Sequence, residues 1–532
     1  MIESRHDIVI VGAGSAGCVL ANRLSADGTL RVLLLEAGGA DRNPFIHMPA
    51  GIARLVDDPD IDWRYHTEPE PHLDGRRLYW PRGRVLGGSS SINAMCYTRG
   101  QPADYDDWAA RGNPGWDSAS VLPYFLRMED HWRGASAWHG AGGPLAVSRV
   151  TACNPLSRVF VAAAQSLGIP HNDDFNGARQ EGVGFYDVTQ RDGRRCSTAV
   201  GYLRPARVRP GLEVRTRART LRVLLEAGRA VGVEYLEGGS LRTARADREV
   251  IICGGTIGSP QLLMYSGIGP AAALGAAGLP VAHDRPGVGA NLQDHLDVCT
   301  LYRSLQPVTY DFNALQQAWV GLRYLLTRSG PGASNVAEAG AFLRSSVAED
   351  SRPDIQLHFV PAQLDDHGRH RLPGHGFTVH ACALRPRSRG RILPAGSDPL
   401  AAPRIEARYL VEPSDLDCLL EGIAVSREIV AQSPFDAFRG REIFPGADAR
   451  DRDALHAFVR RKAESIYHPV GTCRMGSADD PGAVVDARLR VHGVEGLRVV
   501  DASVMPRIVS SNTNAATIMI AERASDWILA GR

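Results

Sequence analysis

Near the C-terminus, Tyr467-His468-Pro469-Val470-Gly471 is followed by Ser511-Asn512-Thr513-Asn514 at the start of a helical stretch. Histidine is the natural base for a hydroxyl proton, because its unperturbed pKa of about 6.5 lies near working pH. Asparagine cannot take a proton, so its part in such a site is to orient a hydroxyl by hydrogen bonding. Pro469 biases His468 toward an extended backbone that would aim the ring. The same pair also suits a histidine that only satisfies backbone groups. Asn512 likewise suits an N-cap for the helix predicted over 514–529. At the opposite end of the chain, Val9-Ile10-Val11-Gly12-Ala13-Gly14-Ser15-Ala16-Gly17 is an apolar strand running into a glycine turn built for a dinucleotide. Acid/base groups at one end and a redox nucleotide at the other would make an oxidoreductase.

The glycine motif has the right context: it follows a strand, opens a helix, and Glu36 ends the next strand. Gly12 allows the tight turn, Gly14 lets backbone approach a pyrophosphate, and Gly17 lets helix and strand pack closely. Ser15 and Ala16 stand at the helix N-terminus, whose N–H groups and partial positive charge suit phosphates. Glu36 should accept from a ribose hydroxyl and would repel a 2′-phosphate. A second glycine pair, in Gly83-Arg84-Val85-Leu86-Gly87-Gly88-Ser89-Ser90-Ser91-Ile92-Asn93, suits either a tight turn or close approach to another flat polar group. From the residues alone, NAD and FAD both remain open.

These groups need a large, ordinary globular frame, and composition supplies one. The 532 residues are enough for two domains or more, with 44% hydrophobic residues and a net charge of +1. Nothing in that balance calls for nucleic acid. Lys462 is the one lysine, which weighs against Schiff-base chemistry. The nine cysteines have no CxxC spacing, so neither a zinc site nor a disulfide framework is indicated, and no metal is expected. Regular structure is predicted to begin within a few residues of Met1, and no apolar run reaches the roughly 20 residues that span a bilayer. A cytoplasmic protein without a transmembrane segment is expected.

Strands are predicted at 8–12, 31–36, 250–253 and 497–500, with a helix over 16–26. They are nearly all apolar, as in a parallel sheet covered on both faces, and each ends in Gly, Glu or Asp. That is one sheet assembled from distant pieces, with its ligand at the carboxyl ends of the strands. Residues 212–226 alternate Arg215, Arg217 and Arg219 against Val214, Thr216 and Ala218, which reads as a solvated strand face. Half-buried strands at 355–359 and 377–382, then helices over 414–432 and 450–464, predict a second, antiparallel domain over the cofactor.

Taken together, these motifs resemble the glucose–methanol–choline (GMC) oxidoreductases. The resemblance is carried by the segment Gly83 to Gly100, by Gly255 to Gly269, by His139-Gly140 with Gly143-Pro144-Leu145, by Gly287-Val288-Gly289 with Asn291-Leu292-Gln293-Asp294-His295, and by the segment from Tyr467 onward. It implies an α/β, Rossmann-like FAD-binding domain (1–160, 200–300 and 463–532). An α+β substrate domain with an antiparallel sheet would comprise 161–199 and 301–462. By position, Gly12, Gly14, Ser15, Ala16, Gly17 and Glu36 would hold the ADP half of FAD. Arg84, Gly88, Ser89 and Asn93 would lie along the flavin half, with Asp501, Ala502, Asn512 and Thr513 completing the contacts. Some relatives attach FAD through a histidine where Ile92 stands, so non-covalent FAD is expected. His468 would take the hydroxyl proton while hydride passes to flavin N5, Asn512 would orient the hydroxyl, and the last helix would direct its positive end toward flavin N1.

The resemblance implies a small-molecule alcohol as substrate, with a primary aliphatic alcohol favoured over choline. Glu338 corresponds to a glutamate that meets trimethylammonium in choline-acting relatives, and similar glutamates occur in relatives acting on uncharged alcohols. An oxygen-using oxidase and a hydroxynitrile lyase are the further alternatives. The expected electron acceptor is a carrier other than NAD, such as a quinone met at the inner face of a membrane. The glycine-rich loop Trp132–Leu145 is expected to act as a lid.

Overall fold

In the computed structural model, which describes residues 3–370 and 372–531, two sheets carry the site. The chain enters the first through β1 (Glu3–Val11), α1 (Ser15–Leu24) and β2 (Val32–Glu36). It returns to it through β3 (Leu212–Thr216), β4 (Ala218–Glu226), β5 (Arg229–Glu237) and β6 (Ser240–Ile252), which leads into α2 (Gly255–Tyr265). The strand order is β3-β2-β1-β6-β5-β4, and the late strand Leu497–Val499 pairs in parallel with the end of β6. β3, β2, β1 and the end of β6 are mutually parallel. All five residues of β2 and the last four of β1 are buried, as continuous apolar runs predict. The carboxyl ends therefore gather Gly12, Glu36, Gly254 and Asp501 along one edge.

The second sheet is antiparallel throughout. It contains the short strand Gly182–Phe185, then β7 (Leu296–Ser304), β8 (Ala339–Leu343), β9 (Ile355–Val360), β10 (Gly376–Ala383) and β11 (Arg439–Phe444). Its order is β11-β7-β10-β9-β8 with Gly182–Phe185 at the far edge. The long helix Pro413–Ala431 lies on β10, where Gly422 packs so close that an added Cβ would stand 2.8 Å from Ala381 Cβ. The pair Glu464–Ser465 joins the start of β7, with Leu296 opposite Ser465. That pairing brings His468 beside His295. The antiparallel sheet thus draws on Gly182–Phe185, on Leu296–Ser304 and the strands after it, and on Glu464 and Ser465.

Two local expectations are corrected. Residues 212–226 are not one strand. Arg217 takes φ 57° and donates its N–H to Gly38 O at 2.8 Å, so the chain turns from β3, parallel to β2, into β4, antiparallel to β5. The loop 132–145 does not border the central cavity. Trp132 Nε1 donates to Asp187 at 2.8 Å and His139 Nε2 lies 2.8 Å from Asp174, fixing the loop elsewhere on the substrate side.

Candidate active site

A cavity of ≈ 1150 Å³ runs from Gly12, Gly14 and Glu36 to His468 and Asn512. At its first end the glycines do what sterics require of them. Gly12 has φ 99°, and a Cβ on Gly17 would fall 1.8 Å from Gly12 O, so strand and helix touch there. Gly14 has open space on its side-chain face, and a Cβ on Gly88 would meet Gly14 Cα at 2.7 Å. The two glycine segments, remote in sequence, therefore close on each other and leave a smooth cradle. Ser15 Oγ donates to Asn514 Oδ1 at 2.7 Å, so the N-termini of α1 and of the last helix (Asn514–Ala530) converge on the cavity. Such paired helix starts suit a pyrophosphate.

Glu36 lines the cavity from the end of β2, its carboxylate accepting from Ala13 N at 2.8 Å and Gly38 N at 2.7 Å. Burial lifts its pKa to about 7 despite those donors. Asp501 also lines the cavity, with Oδ2 accepting from Gly255 N and Ser259 Oγ and Oδ1 from Ser503 N. It positions the start of α2 as well as the wall of the cavity. Ala16, Gly88, Ser89, Asn93, Ala502 and Thr513 all line the cavity, and Ile92 faces it from within the glycine-rich segment. Arg84 is placed differently from expectation. Its Nη2 donates to Pro59 O at 2.6 Å, its guanidinium lies 5.5 Å from the Trp63 ring, and it is not a lining residue. Arg82 lines the cavity instead and donates to Tyr467 O at 2.7 Å.

At the other end, Tyr467 sits at φ 70°, a costly conformation for a bulky residue, which turns the chain just before His468. Asp294 holds that turn, accepting from His468 N at 2.8 Å and Ser465 Oγ at 2.5 Å. The His468 ring is ordered by a second histidine. His295 Nε2 lies 2.9 Å from Leu384 O, and its Nδ1 lies 3.0 Å from His468 Nδ1. A carbonyl can only accept, so His295 Nε2 carries the proton. Burial, opposed by the Leu384 bond, pushes the pKa of His295 down to about 4, leaving its Nδ1 a bare acceptor. His468 Nδ1 must then donate, and His468 Nε2 keeps its lone pair. Burial first, then the neighbouring His295, His358 and Arg82, hold the His468 pKa well below 6.5.

That lone pair faces Asn512, whose Nδ2 is 3.1 Å from His468 Nε2. The amide is oriented from behind: its Oδ1 accepts from Thr98 Oγ1 at 2.9 Å and Gln356 Nε2 at 3.2 Å. Asn512 is not the cap of the last helix. Thr513 holds that place without a side-chain capping bond, leaving the Asn512 amide to the cavity. In the free protein Asn512 Nδ2 donates directly to that lone pair; a substrate hydroxyl entering beside the pair would replace this contact, accepting from Asn512 and donating to His468.

Sequence reasoning missed His358, which is buried, lines the cavity, and has no hydrogen-bond partner in the protein at either ring nitrogen. Burial, with His380 and His295 nearby, pushes its pKa down to about 3. The available signal was polar alternation in an apolar strand: Gln356 and His358 share one face of β9, and both reach the site. Glu338 lies elsewhere. It is fully buried off the cavity and accepts from Asn154 N, Ser157 Oγ, Tyr310 Oη and Ser334 Oγ. The carboxylates that line the cavity are Glu36, Asp311 and Asp501. Among the described residues, no group of three or more His, Cys, Asp or Glu is arranged to hold a metal ion.

The glycine cradle at the strand ends and the paired helix starts define a dinucleotide-binding α/β fold. The model of the N-terminal GMC oxidoreductase domain matches residues 6–297 and that of the C-terminal domain matches 386–521; the chain belongs to the GMC oxidoreductase family. It is 47% identical over 530 residues to an alcohol dehydrogenase (acceptor) of Pseudomonas putida, covering 98% of this chain and 96% of that one. It is 46% identical over 535 residues to mouse mitochondrial choline dehydrogenase, covering 99% and 90%. A solved formate oxidase variant of Aspergillus oryzae, described for modification of its FAD, superposes with a TM-score of 0.94 at 26% identity, covering 100% and 99%. FAD is the dinucleotide of this family, and the cradle fits it.

Proposed function

We propose that the chain oxidises primary, uncharged alcohols to aldehydes with non-covalently held FAD. The observation that carries this reading is the bare His468 Nε2 set 3.1 Å from the Asn512 amide nitrogen in the cavity that begins at the glycine cradle. Bound FAD supplies the acceptor for hydride. The protein's own part is proton management. Asn512 Nδ2 orients the substrate hydroxyl, and His468 Nε2 takes its proton, so that the oxygen becomes alkoxide-like and the adjacent C–H bond can give up hydride. The neutral His358 adds a ring nitrogen free to bond the same oxygen. Arg82 stands close enough to His468 to favour developing negative charge. With no histidine in 83–93 and Ile92 facing the cavity, that segment offers no imidazole for covalent attachment.

The substrate end supports an uncharged alcohol, because Tyr310, Phe312, Val336, Ala337 and Val360 line it while Glu338 is consumed by four internal donors. Choline is the second reading. Asp311 lines the cavity and offers a carboxylate to a cation, and a choline dehydrogenase is among the relatives. A carrier such as a quinone is the proposed electron acceptor, in line with the acceptor-dependent dehydrogenase relative. The test is anaerobic mixing of the yellow holoenzyme with 1-alcohols of increasing length and with choline. Bleaching of the flavin band by 1-alcohols and not by choline is expected. Bleaching by choline alone would replace the first reading with the second, and cyanohydrin turnover without bleaching would end both.

A further inference from the structure

One helix of the substrate side has its apolar face turned outward. α3 (Ala314–Thr327) buries only Val320 and Tyr324. Leu315, Trp319, Leu322, Leu325 and Leu326 are 84%, 57%, 56%, 64% and 74% exposed, and the spacing 315, 319, 322, 326 aligns four of them in a single stripe with Leu325 beside it. A contiguous patch of this kind marks a contact surface rather than scattered exposure.

The opposite face shows where the stripe lies. Gln317, Ala318, Val320 and Gly321 line the cavity, with exposed Phe45 and Arg54 across from them. Arg54 Nη2 holds Gln317 Oε1 at 3.2 Å. The cavity therefore opens beside the stripe. α3 carries no acidic residue. Arg323 lies over the Trp319 ring at 5.4 Å and Arg328 over Tyr324 at 5.0 Å. Gly193 of the Gln190–Arg195 hairpin abuts Arg328 O, which brings the exposed Arg194 to the same rim. The acids on the adjoining segments are Asp57, Asp58, Asp192 and Asp311, of which Asp57 is paired with Arg64 at 2.5 Å and Asp58 accepts from Asp60 N at 3.0 Å, against Arg54, Arg194, Arg323 and Arg328.

We propose that this face docks on an anionic phospholipid surface. A leucine stripe with one tryptophan, rimmed by arginines, is the composition of a helix lying in a membrane interface. Cationic rims attract anionic headgroups within a Debye length. A lipid surface also demands no matching shape, whereas a second copy of the chain would have to present a complementary face of about 800 Å². No helix among the described residues is long and apolar enough to cross a membrane, so the contact would be peripheral. Resting on the alcohol reading, docking would turn the cavity mouth toward the lipid and admit apolar alcohols or a lipophilic acceptor from it.

The test is sedimentation of the full-length holoenzyme with vesicles of equal parts phosphatidylglycerol and phosphatidylcholine. Wild type should pellet, less so at high salt or with phosphatidylcholine alone. Leu322→Gln with Leu326→Gln should weaken partitioning roughly tenfold or more while FAD content stays unchanged, since neither leucine lines the cavity. Holoenzyme left in the supernatant would overturn the proposal. So would a double variant that pellets like wild type, or a wild-type dimer in light scattering that the double variant abolishes. The assay involves no turnover, so its failure is separate from a failure of the alcohol reading.

Discussion

His295 Nδ1 lies 3.0 Å from His468 Nδ1, and the other nitrogen of His295 is bonded to the Leu384 carbonyl. Through that chain a backbone oxygen decides which nitrogen of His468 is bare. His295 is fully buried and does not line the cavity, so it is a positioning residue.

Replacing His295 with leucine leaves the His468 Nδ1–H buried without an acceptor, at a cost of about 1–3 kcal/mol. Flavin reduction by alcohol should fall roughly ten- to a hundredfold with FAD content unchanged. His295→Gln can offer an oxygen to His468 and an N–H to Leu384, so it should recover most of the rate. Equal rates in the two variants would show that His295 only fills space.

His468→Ala should retain FAD and slow reduction by roughly 10²–10⁴, the usual worth of a general base. Asn512→Ala should cost less, about 0.5–1.5 kcal/mol for one hydrogen bond. Stopped-flow reduction kinetics measure both. An unchanged His468→Ala rate would remove that residue from the chemistry.

The depressed pKa of His468 fixes the sign of the pH dependence. The base must be neutral to work, and a folded-state pKa below 6.5 keeps it neutral as pH falls through that value. The reduction rate should stay flat from pH 8 to below 6.5 and decline only further into acid. An acid limb at or above 6.5 would contradict the burial of this ring.

Gly14 and Gly17 should separate cofactor binding from folding. A Cβ at Gly17 would collide with Gly12 O at 1.8 Å, so Gly17→Ala should lower the thermal transition of the apoprotein. A Cβ at Gly14 meets nothing in the protein. Gly14→Ala should leave the apoprotein transition intact and weaken FAD binding, read by flavin titration. Full-affinity FAD binding by Gly14→Ala would place the pyrophosphate elsewhere.

Glu338→Gln tests whether that carboxylate selects charged alcohols. With four internal donors on the glutamate, the change should lower stability by about 1–3 kcal/mol. It should alter kcat/KM for choline and for 1-hexanol by the same factor. A selective loss with choline would bring Glu338 back into substrate recognition.

Local chemistry made much of this legible in sequence. Continuous apolar runs define parallel strands, Gly12 and Gly17 define a turn that only glycine can make, and the segment around His468 and Asn512 carries the family resemblance. What failed were features whose outcome depends on distant partners. The arginine alternation at 212–226 could not reveal that Arg217 binds Gly38 O and breaks the strand, sending the chain from a pairing with β2 to a pairing with β5. The composition of 132–145 said nothing of Asp187 and Asp174, and the motif position of Arg84 gave no hint of Trp63 and Pro59.

The catalytic geometry divides in the same way. Sequence alone determined which residue types are present and that His468 precedes a proline; only the tertiary structure decided which nitrogen of His468 is free. That choice depends on a carbonyl at Leu384, a ring at His295 and an amide at Asn512, set together by the pairing of Glu464–Ser465 with β7. Steric and periodic rules act over a few residues of chain. A hydrogen bond acts across about 3 Å of space, and only folding brings such groups within that reach.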